Sequence, residues 1–234
     1  MTKKNNLTAR DNFFLVAAHQ LKLPLNTLRL NLEMVASGDL GKINSQIKKN
    51  INQAIKIDNQ MLELVTDFLN AAAIEKQERP PVSRLDIIKE IKNIIQDETI
   101  LAKRINVSLK LTVEPASLKS LSLPVVNFKE VIKNLISNAI KYNRPRGSVN
   151  IKIKKVAAKV FIEIKDTGIG IPAKDQKKMF NKFFRANNAL KKTTEGTGLG
   201  LFIAKSYVES WGGRINFTSR ENKGTTFYIE IPVK

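Results

Sequence analysis

The hydrophobic spacing of this chain changes character at a pair of prolines, and that change divides its possible folds. Ahead of the break, Phe14, Ala18, Leu21, Leu25, Leu28, Leu32 and Val35 recur in alternating steps of four and three. Such spacing puts all seven on one stripe of an α-helix, the seam pattern of a coiled coil or bundle. Ser37-Gly38-Asp39-Leu40-Gly41 supplies a turn, with glycine where helices commonly stop. A second stripe follows at Ile43, Ile47, Ile51, Ala54, Met61, Val65, Phe68 and Ala72, and Asp58 interrupts it. Two isolated helices bury too little surface to stand alone. Two hairpins are therefore expected to pack as a four-helix bundle, which makes the chain a homodimer.

Glu78-Arg79-Pro80-Pro81-Val82 cannot continue a helix and reads as a linker, because proline lacks the donor and restricts the residue before it. It separates a domain at 1–79 from one at 80–234. Beyond it the spacing predicts a helix from Leu85 to about Lys103 and a strand from Ile105 to Val113. A helix from Asn127 to Tyr142 would open with a capping box, Asn127 with Glu130. Val149-Ile151-Ile153 and Val160-Ile162-Ile164 alternate as half-buried strands do. A helix near Leu199–Trp211 precedes strands at Arg214–Ser219 and Thr226–Ile231. The predicted fold class is thus α + α/β, with a helical hairpin followed by an α/β sandwich whose mixed sheet is covered on one face by helices.

Composition narrows the partners without naming them. The chain carries 40 Lys and Arg against 21 Asp and Glu, a formal net charge of +19, which favours anionic partners such as nucleotides, anionic lipid or acidic proteins. The basic residues are dispersed, as on a lysine-rich solvated surface. No basic tract is interleaved with aromatics in the way that stacks bases, so nucleic acid is not expected. The absence of cysteine excludes disulfide scaffolds and thiolate metal sites. No apolar run approaches the roughly 20 residues that span a bilayer, and the first residues lack the apolar stretch of a signal peptide. A cytoplasmic location is expected, either alone or as the cytosolic portion of a sensor whose membrane-anchored region lies outside this chain.

Four stretches carry chemistry. His19 is the single histidine, one residue past the seam position Ala18 and five before Pro24. It is expected on the bundle flank, just ahead of a proline bend. Asn134, Asn138 and Lys141 share one helix face, where two amides and an ammonium can bind a hard cation and phosphate oxygens. An ordinary solvent-facing polar stripe would look the same. Asp166-Thr167-Gly168-Ile169-Gly170 follows a strand, placing a carboxylate beside glycines that let a flat ring approach. Gly196-Thr197-Gly198-Leu199-Gly200 opens a helix and offers backbone N–H groups to phosphate. Between the last two lie Lys174, Lys177, Lys178, Lys182, Arg185, Lys191 and Lys192. The span from Lys182 to Thr197 reads as a mobile lid over phosphates.

In this order the stretches resemble the boxes of sensor histidine kinases of two-component signalling, over nearly the whole chain. His19 to Leu25 resembles the H box, Asn134 to Tyr142 the N box, and Asp166 to Gly170 the G1 box. Phe180 to Arg185 is similar to the F box, Gly196 to Leu201 to G2, and Gly224 to Phe227 to the last box. The resemblance implies a dimerisation and histidine-phosphotransfer domain followed by a Bergerat-type ATP-binding domain. It further implies ATP and Mg²⁺ as cofactors and a response-regulator receiver domain as partner. By the same resemblance His19 accepts the phosphoryl group and Gln20 orients its ring. Asp166 reads the adenine amine, Asn138 binds Mg²⁺ supported by Asn134, and Tyr142 walls the pocket. Lys141, Arg185, Gly196, Gly198 and Gly200 hold phosphates. Gly168, Gly170, Lys182, Thr197, Leu199 and Thr225 lie inside the matching boxes and are expected at the nucleotide.

Relatives of this ATP fold that hydrolyse ATP carry glutamate where this chain has Asn134, and an amide cannot take a proton from water. Two positions depart from the H-box pattern. Gln20 stands where Glu or Asp is usual, which implies a slower autokinase. Leu23 stands where Thr or Asn is usual, which implies weak phosphatase activity. An ATP-binding scaffold without transfer chemistry, and a DNA-linked ATPase of the topoisomerase or mismatch-repair type, remain as alternatives.

Overall fold

The computed structural model describes residues 9–76, 80–114, 120–193 and 196–233, with side chains from Ala17 onward apart from that of His19. Two compact units divide the chain. The first comprises Met1–Glu78 with Glu195–Thr197, and the second comprises Arg79–Thr194 with Gly198–Lys234.

The first unit is a helical hairpin. Helix α1 spans Ala9–Ser37 and continues through Pro24, and α2 spans Ser45–Glu75. The turn forms where glycine allows it: the amides of Gly38 and Asp39 reach back to the carbonyls of Val35 and Met34. Asn44 then caps α2 by accepting from the Ile47 amide at 2.8 Å, satisfying a donor that helix starts leave open. Ala18, Leu25 and Val65 form the buried cluster, with Leu62, Phe68 and Leu69 against it. The expected single seam is in fact divided. Ala18 and Leu25 face inward within the hairpin, whereas Leu21 and Leu28 are 52% and 47% exposed. One partner helix does not cover the whole stripe: Leu21 and Leu28 face outward, and Leu32 and Val35 are half-buried. Asp58 of α2 is buried, and neither of its oxygens has a hydrogen-bond partner among the described residues. Phe14 of the stripe lies outside the described side chains.

The second unit runs β1 (Ser83–Leu85), α3 (Ile87–Arg104), β2 (Ser108–Val113), β3 (Leu121–Leu123) and α4 (Val125–Lys141). It continues with β4 (Ser148–Val156), β5 (Lys159–Asp166), α5 (Ala173–Gln176), α6 (Asn187–Lys192), α7 (Gly200–Ser210), β6 (Arg214–Arg220) and β7 (Gly224–Pro232). The main sheet has the order β2-β4-β5-β7-β6; β2 and β4 pair in parallel and the other neighbours are antiparallel. A separate two-stranded sheet joins β1 to β3. Alternation in β4 and β5 sends Val149, Ile151, Ile153, Val160, Ile162 and Ile164 under the helices. Phe128, Ile132, Leu135, Ile136 and Ile140 of α4 meet them there, all fully buried. Each such side chain contributes about 1.5–3 kcal/mol by leaving water.

Three boundaries differ from the sequence expectation. Leu85 ends a strand, because Asp86 caps α3 through the amides of Ile88 and Lys89. The strand expected from Ile105 begins only at Ser108, since Asn106 adopts a left-handed φ of 55° that no strand accommodates. No capping box forms at Asn127. Pro124, with its fixed φ of −66°, starts α4 earlier, and Asn127 is buried inside the helix.

Candidate functional site

The nucleotide-site residues of the second unit gather along α4. Its apolar face is fixed by burial against the sheet, which leaves Asn134 and Asn138 on another face one turn apart. Their amides engage each other: Asn138 Nδ2 donates to Asn134 Oδ1 at 2.8 Å. That bond orients the Asn138 carbonyl oxygen away from Asn134. Gly200, the first residue of α7, lies against the same amide, and a Cβ at Gly200 would overlap the Asn134 side chain. Glycine is required there for close approach rather than for torsional freedom. Leu199 before it is buried and gives α7 no side-chain cap. The polar face of α4 therefore meets the N-terminal end of α7, where backbone N–H groups and the helix dipole favour anions.

At its C-terminal end, one turn past Asn138, α4 meets the loop after β5. Tyr142 closes the helix, its carbonyl accepts the Ile169 amide at 3.0 Å, and Lys141 places its ammonium 5.9 Å from the Tyr142 ring centroid. Asn143, buried next to it, donates to the carbonyls of Ala139 and Ser148 at 3.0 and 3.1 Å. Its Oδ1 accepts from the Thr167 hydroxyl at 3.1 Å. One side chain thus binds helix, strand and glycine loop together. No sequence expectation named it, because an asparagine after a helix looks like any turn residue.

Asp166 ends β5 and is buried. Its Oδ1 accepts from the amides of Gly168 at 2.7 Å and Thr225 at 3.1 Å, while Oδ2 accepts no hydrogen bond among the described residues. Burial pushes its carboxyl up to about 6, against the downward pull of those two amides and of the Lys192 charge. Gly170 holds φ at 62°, and any side chain there would strike the Arg220 carbonyl. The loop is pinned from below. Ile171 N donates to Ser219 Oγ at 2.8 Å, and Ser219 Oγ lies 2.9 Å from Thr225 Oγ1. Asp166, Gly168, Gly170 and Thr225 consequently form one rigid group beside Tyr142.

The basic stretch is more structured than the expected lid. Phe180 packs against Phe217 with the rings tilted by 57° and their centroids 5.7 Å apart. Lys182 sits 4.9 Å over the Phe202 ring, and Arg185 donates to the Thr193 carbonyl at 2.7 Å. These two cations thus meet partners of their own unit. Helix α6 is fastened from both sides. Asp175 accepts from the Asn187 amide at 3.0 Å, Asn188 Nδ2 donates to the Gly170 carbonyl at 2.8 Å, and Lys192 Nζ donates to the Asn143 carbonyl. Gly198, at φ 75°, lies against the Phe183 backbone. Gly196, with φ 112°, and Thr197 fall with the first unit. His19 lies in α1 with its side chain outside the described residues, and Gln20 beside it is exposed. Among the described residues no group of three or more His, Asp or Glu could hold a metal. A cation at this site would need an amide oxygen plus ligands from a bound phosphate.

The Histidine kinase-, DNA gyrase B-, and HSP90-like ATPase family model matches residues 125–234, and the His Kinase A (phospho-acceptor) domain model matches 9–77. Sensor histidine kinase WalK of Bacillus subtilis (strain 168) is 32% identical over 228 residues, 96% of this chain and 37% of that protein. Sensor protein SrrB of Staphylococcus aureus (strain N315) is 29% identical over 240 residues, 99% of this chain and 40% of that one. The chain thus spans about two fifths of the length of the curated relatives it matches. Among solved structures, full-length ShkA in complex with AMPPNP shares the fold with a TM-score of 0.76 at 20% identity, covering 95% of this chain and 46% of ShkA. The catalytic domain of histidine kinase ThkA aligns with a TM-score of 0.57 at 27% identity, covering 65% of this chain and 95% of ThkA's. With a phospho-acceptor hairpin followed by an ATPase-type α/β unit, the chain belongs to the two-component sensor histidine kinases.

Proposed function

We propose that this chain phosphorylates itself on His19 from ATP and passes the phosphoryl group to an aspartate of a response-regulator receiver domain. The observation that carries the reading is Asp166, whose Oδ1 is held by two backbone amides while Oδ2 accepts no hydrogen bond among the described residues. A buried, oriented carboxylate oxygen suits the exocyclic amine of adenine. One helical turn back along α4 from Tyr142, the Asn138 carbonyl oxygen and the uncapped start of α7 suit a cation and phosphate.

The donor set therefore fits both groups: Asp166 and the glycine loop would hold the base, and Asn138 would ligate Mg²⁺. When bound, Mg²⁺ offsets phosphate charge as the β–γ bond loosens. A neutral nitrogen of His19 attacks the γ-phosphorus, the P–N bond forms, and the bond to the β–γ bridging oxygen breaks with release of ADP. The proton on the other ring nitrogen passes to solvent, since the Gln20 amide orients the ring without accepting it. Asn134 fits transfer better than hydrolysis, because it supplies no base for water. Leu23, 72% exposed and without a hydrogen-bonding group, fits weak phosphatase activity. Dimerisation through the outward half of the hairpin stripe fits Leu21 and Leu28, which a single chain leaves open to solvent.

No helix among the described residues is long and apolar enough to cross a membrane. We propose that the chain works at the cytosolic side of a larger sensor. The test is incubation with γ-labelled ATP and Mg²⁺. Acid-labile label should stay on the wild-type chain, be absent from His19→Ala, and move to a receiver domain. Equal labelling of His19→Ala would end the reading. Steady phosphate release with no labelled protein would favour an ATPase instead.

A further inference from the structure

Asparagine is common just past a helix because it tolerates a left-handed backbone. Asn143 is not there for that reason. The left-handed residue of this turn is Arg146, at φ 59°, and Asn143 is not among the residues of positive φ. It is also only 2% exposed, so its amide does not serve solvent. The side chain makes four hydrogen bonds, the whole capacity of an amide. Nδ2 donates to the carbonyls of Ala139 and Ser148, and Oδ1 accepts from the Arg144 amide at 3.0 Å and the Thr167 hydroxyl at 3.1 Å. Two carbonyls face the nitrogen and two donors face the oxygen, which fixes the orientation of the amide.

The bond to Thr167 matters because of where Thr167 stands. It separates Asp166 from Gly168, whose amide grips the Asp166 carboxylate at 2.7 Å. Its hydroxyl accepts from the Ser148 amide at 2.9 Å and gives its single proton to Asn143. One residue past Gly168, the Ile169 amide is held by the Tyr142 carbonyl. Two adjacent residues at the end of α4 thus clamp the loop on either side of Gly168. Gly147 makes room for the clamp, since a Cβ there would overlap Asn143 Oδ1 and crowd Thr167 Oγ1. Its φ is not positive either, so glycine is needed there for space alone.

We infer that Asn143 is a positioning residue for base recognition: through Thr167 it fixes the Gly168 amide, and so the direction in which Asp166 presents its second oxygen. This rests on the reading of the chain as an ATP-dependent kinase. Without the Asn143 side chain, the Thr167 hydroxyl loses its acceptor, and the carbonyls of Ala139 and Ser148 lose a donor. The bond between Asn138 and Asn134 and the close approach of Gly200 involve none of these groups. The signature of such a residue is weaker use of ATP with transfer from bound ATP retained.

The test is the ATP dependence of autophosphorylation in the 234-residue chain, in Asn143→Ala, in Thr167→Val and in the double variant. Thr167→Val deletes the hydroxyl and keeps the side-chain shape, so it decides the matter alone if Asn143→Ala does not fold. KM for ATP should rise about tenfold in Asn143→Ala and about three- to fivefold in Thr167→Val. The rate at saturating ATP should stay within about twofold of wild type in both. The double variant should be no worse than Asn143→Ala, because both changes break the same bond. An unchanged KM, or a saturating rate that falls as it would in a damaged fold, overturns the inference while the kinase reading stands. Additive losses in the double variant overturn it too, by showing that the two residues act separately. If the wild type takes up no label from ATP, the kinase reading falls and the inference falls with it.

Discussion

The two units of this chain reach stability by different routes. In the α/β unit, Phe128, Ile132, Leu135, Ile136 and Ile140 of one helix are wholly buried against six residues of β4 and β5 that are 0–1% exposed. In the hairpin, two long helices share a cluster of three buried residues, leave Leu21, Leu28 and Met61 about half exposed, and bury a carboxylate that has no hydrogen-bond partner among the described residues. The contrast teaches that the α/β unit is specified within one chain, whereas the hairpin leaves apolar side chains uncovered. The proposed dimer would give that surplus stripe its partner.

The contrast can be broken at its strongest point first. Phe128→Ala should cost the α/β unit about 3–5 kcal/mol, seen as an early unfolding transition in urea while hairpin helicity persists. Loss of both signals together would show the units to be one cooperative body. Asp58→Leu should act in the opposite sense and raise hairpin stability by about 1–3 kcal/mol, because it removes an unsatisfied buried group. A lower melting temperature would mean that Asp58 finds a partner in the dimer. Leu28→Lys should weaken the dimer by at least about tenfold in sedimentation, as a charge enters an apolar seam, with nucleotide affinity unaltered.

Smaller effects come from the site. With the Asp166 carboxyl raised to about 6 from 3.8, the folded unit holds more protons than the unfolded chain between those values. Nucleotide-free stability should therefore rise as pH falls through 6 and drop as pH climbs through it. ATP binding needs the ionised acceptor and should run oppositely, losing up to about tenfold per pH unit below 6. Titration calorimetry from pH 5 to 8 would show it, and a flat profile would refute it. Least of all, Gln20→Glu should speed single-turnover autophosphorylation by up to about tenfold by supplying a base; no gain would remove Gln20 as the brake.

What was legible follows from what is local. The helical stripes, the alternation in β4 and β5, and the turn spacing of Asn134 and Asn138 are written at short range, and the fold honours them. What was not legible depends on partners distant in sequence. Strands of three residues, β1 and β3, exist only because they pair with each other. Lys182 and Arg185 are expected at the nucleotide from their place in the F-box stretch, and their contacts with Phe202 and the Thr193 carbonyl cannot be read from that stretch. Asn143 carries no spacing signal, and its importance lies in joining three elements. The split of the first stripe into inner and outer halves needed the geometry of the hairpin.

The grip on Asp166 has one more consequence, for observation rather than binding. The amides of Gly168 and Thr225 belong to different elements, a loop and the start of β7, yet both end on one carboxylate oxygen. Amide protons exchange with solvent when such bonds open locally. A ligand on the other oxygen would make that opening rarer at both sites at once. Two backbone protons, 57 residues apart by their numbers (225 − 168), should therefore slow together in deuterium exchange and report occupancy of the pocket without any label.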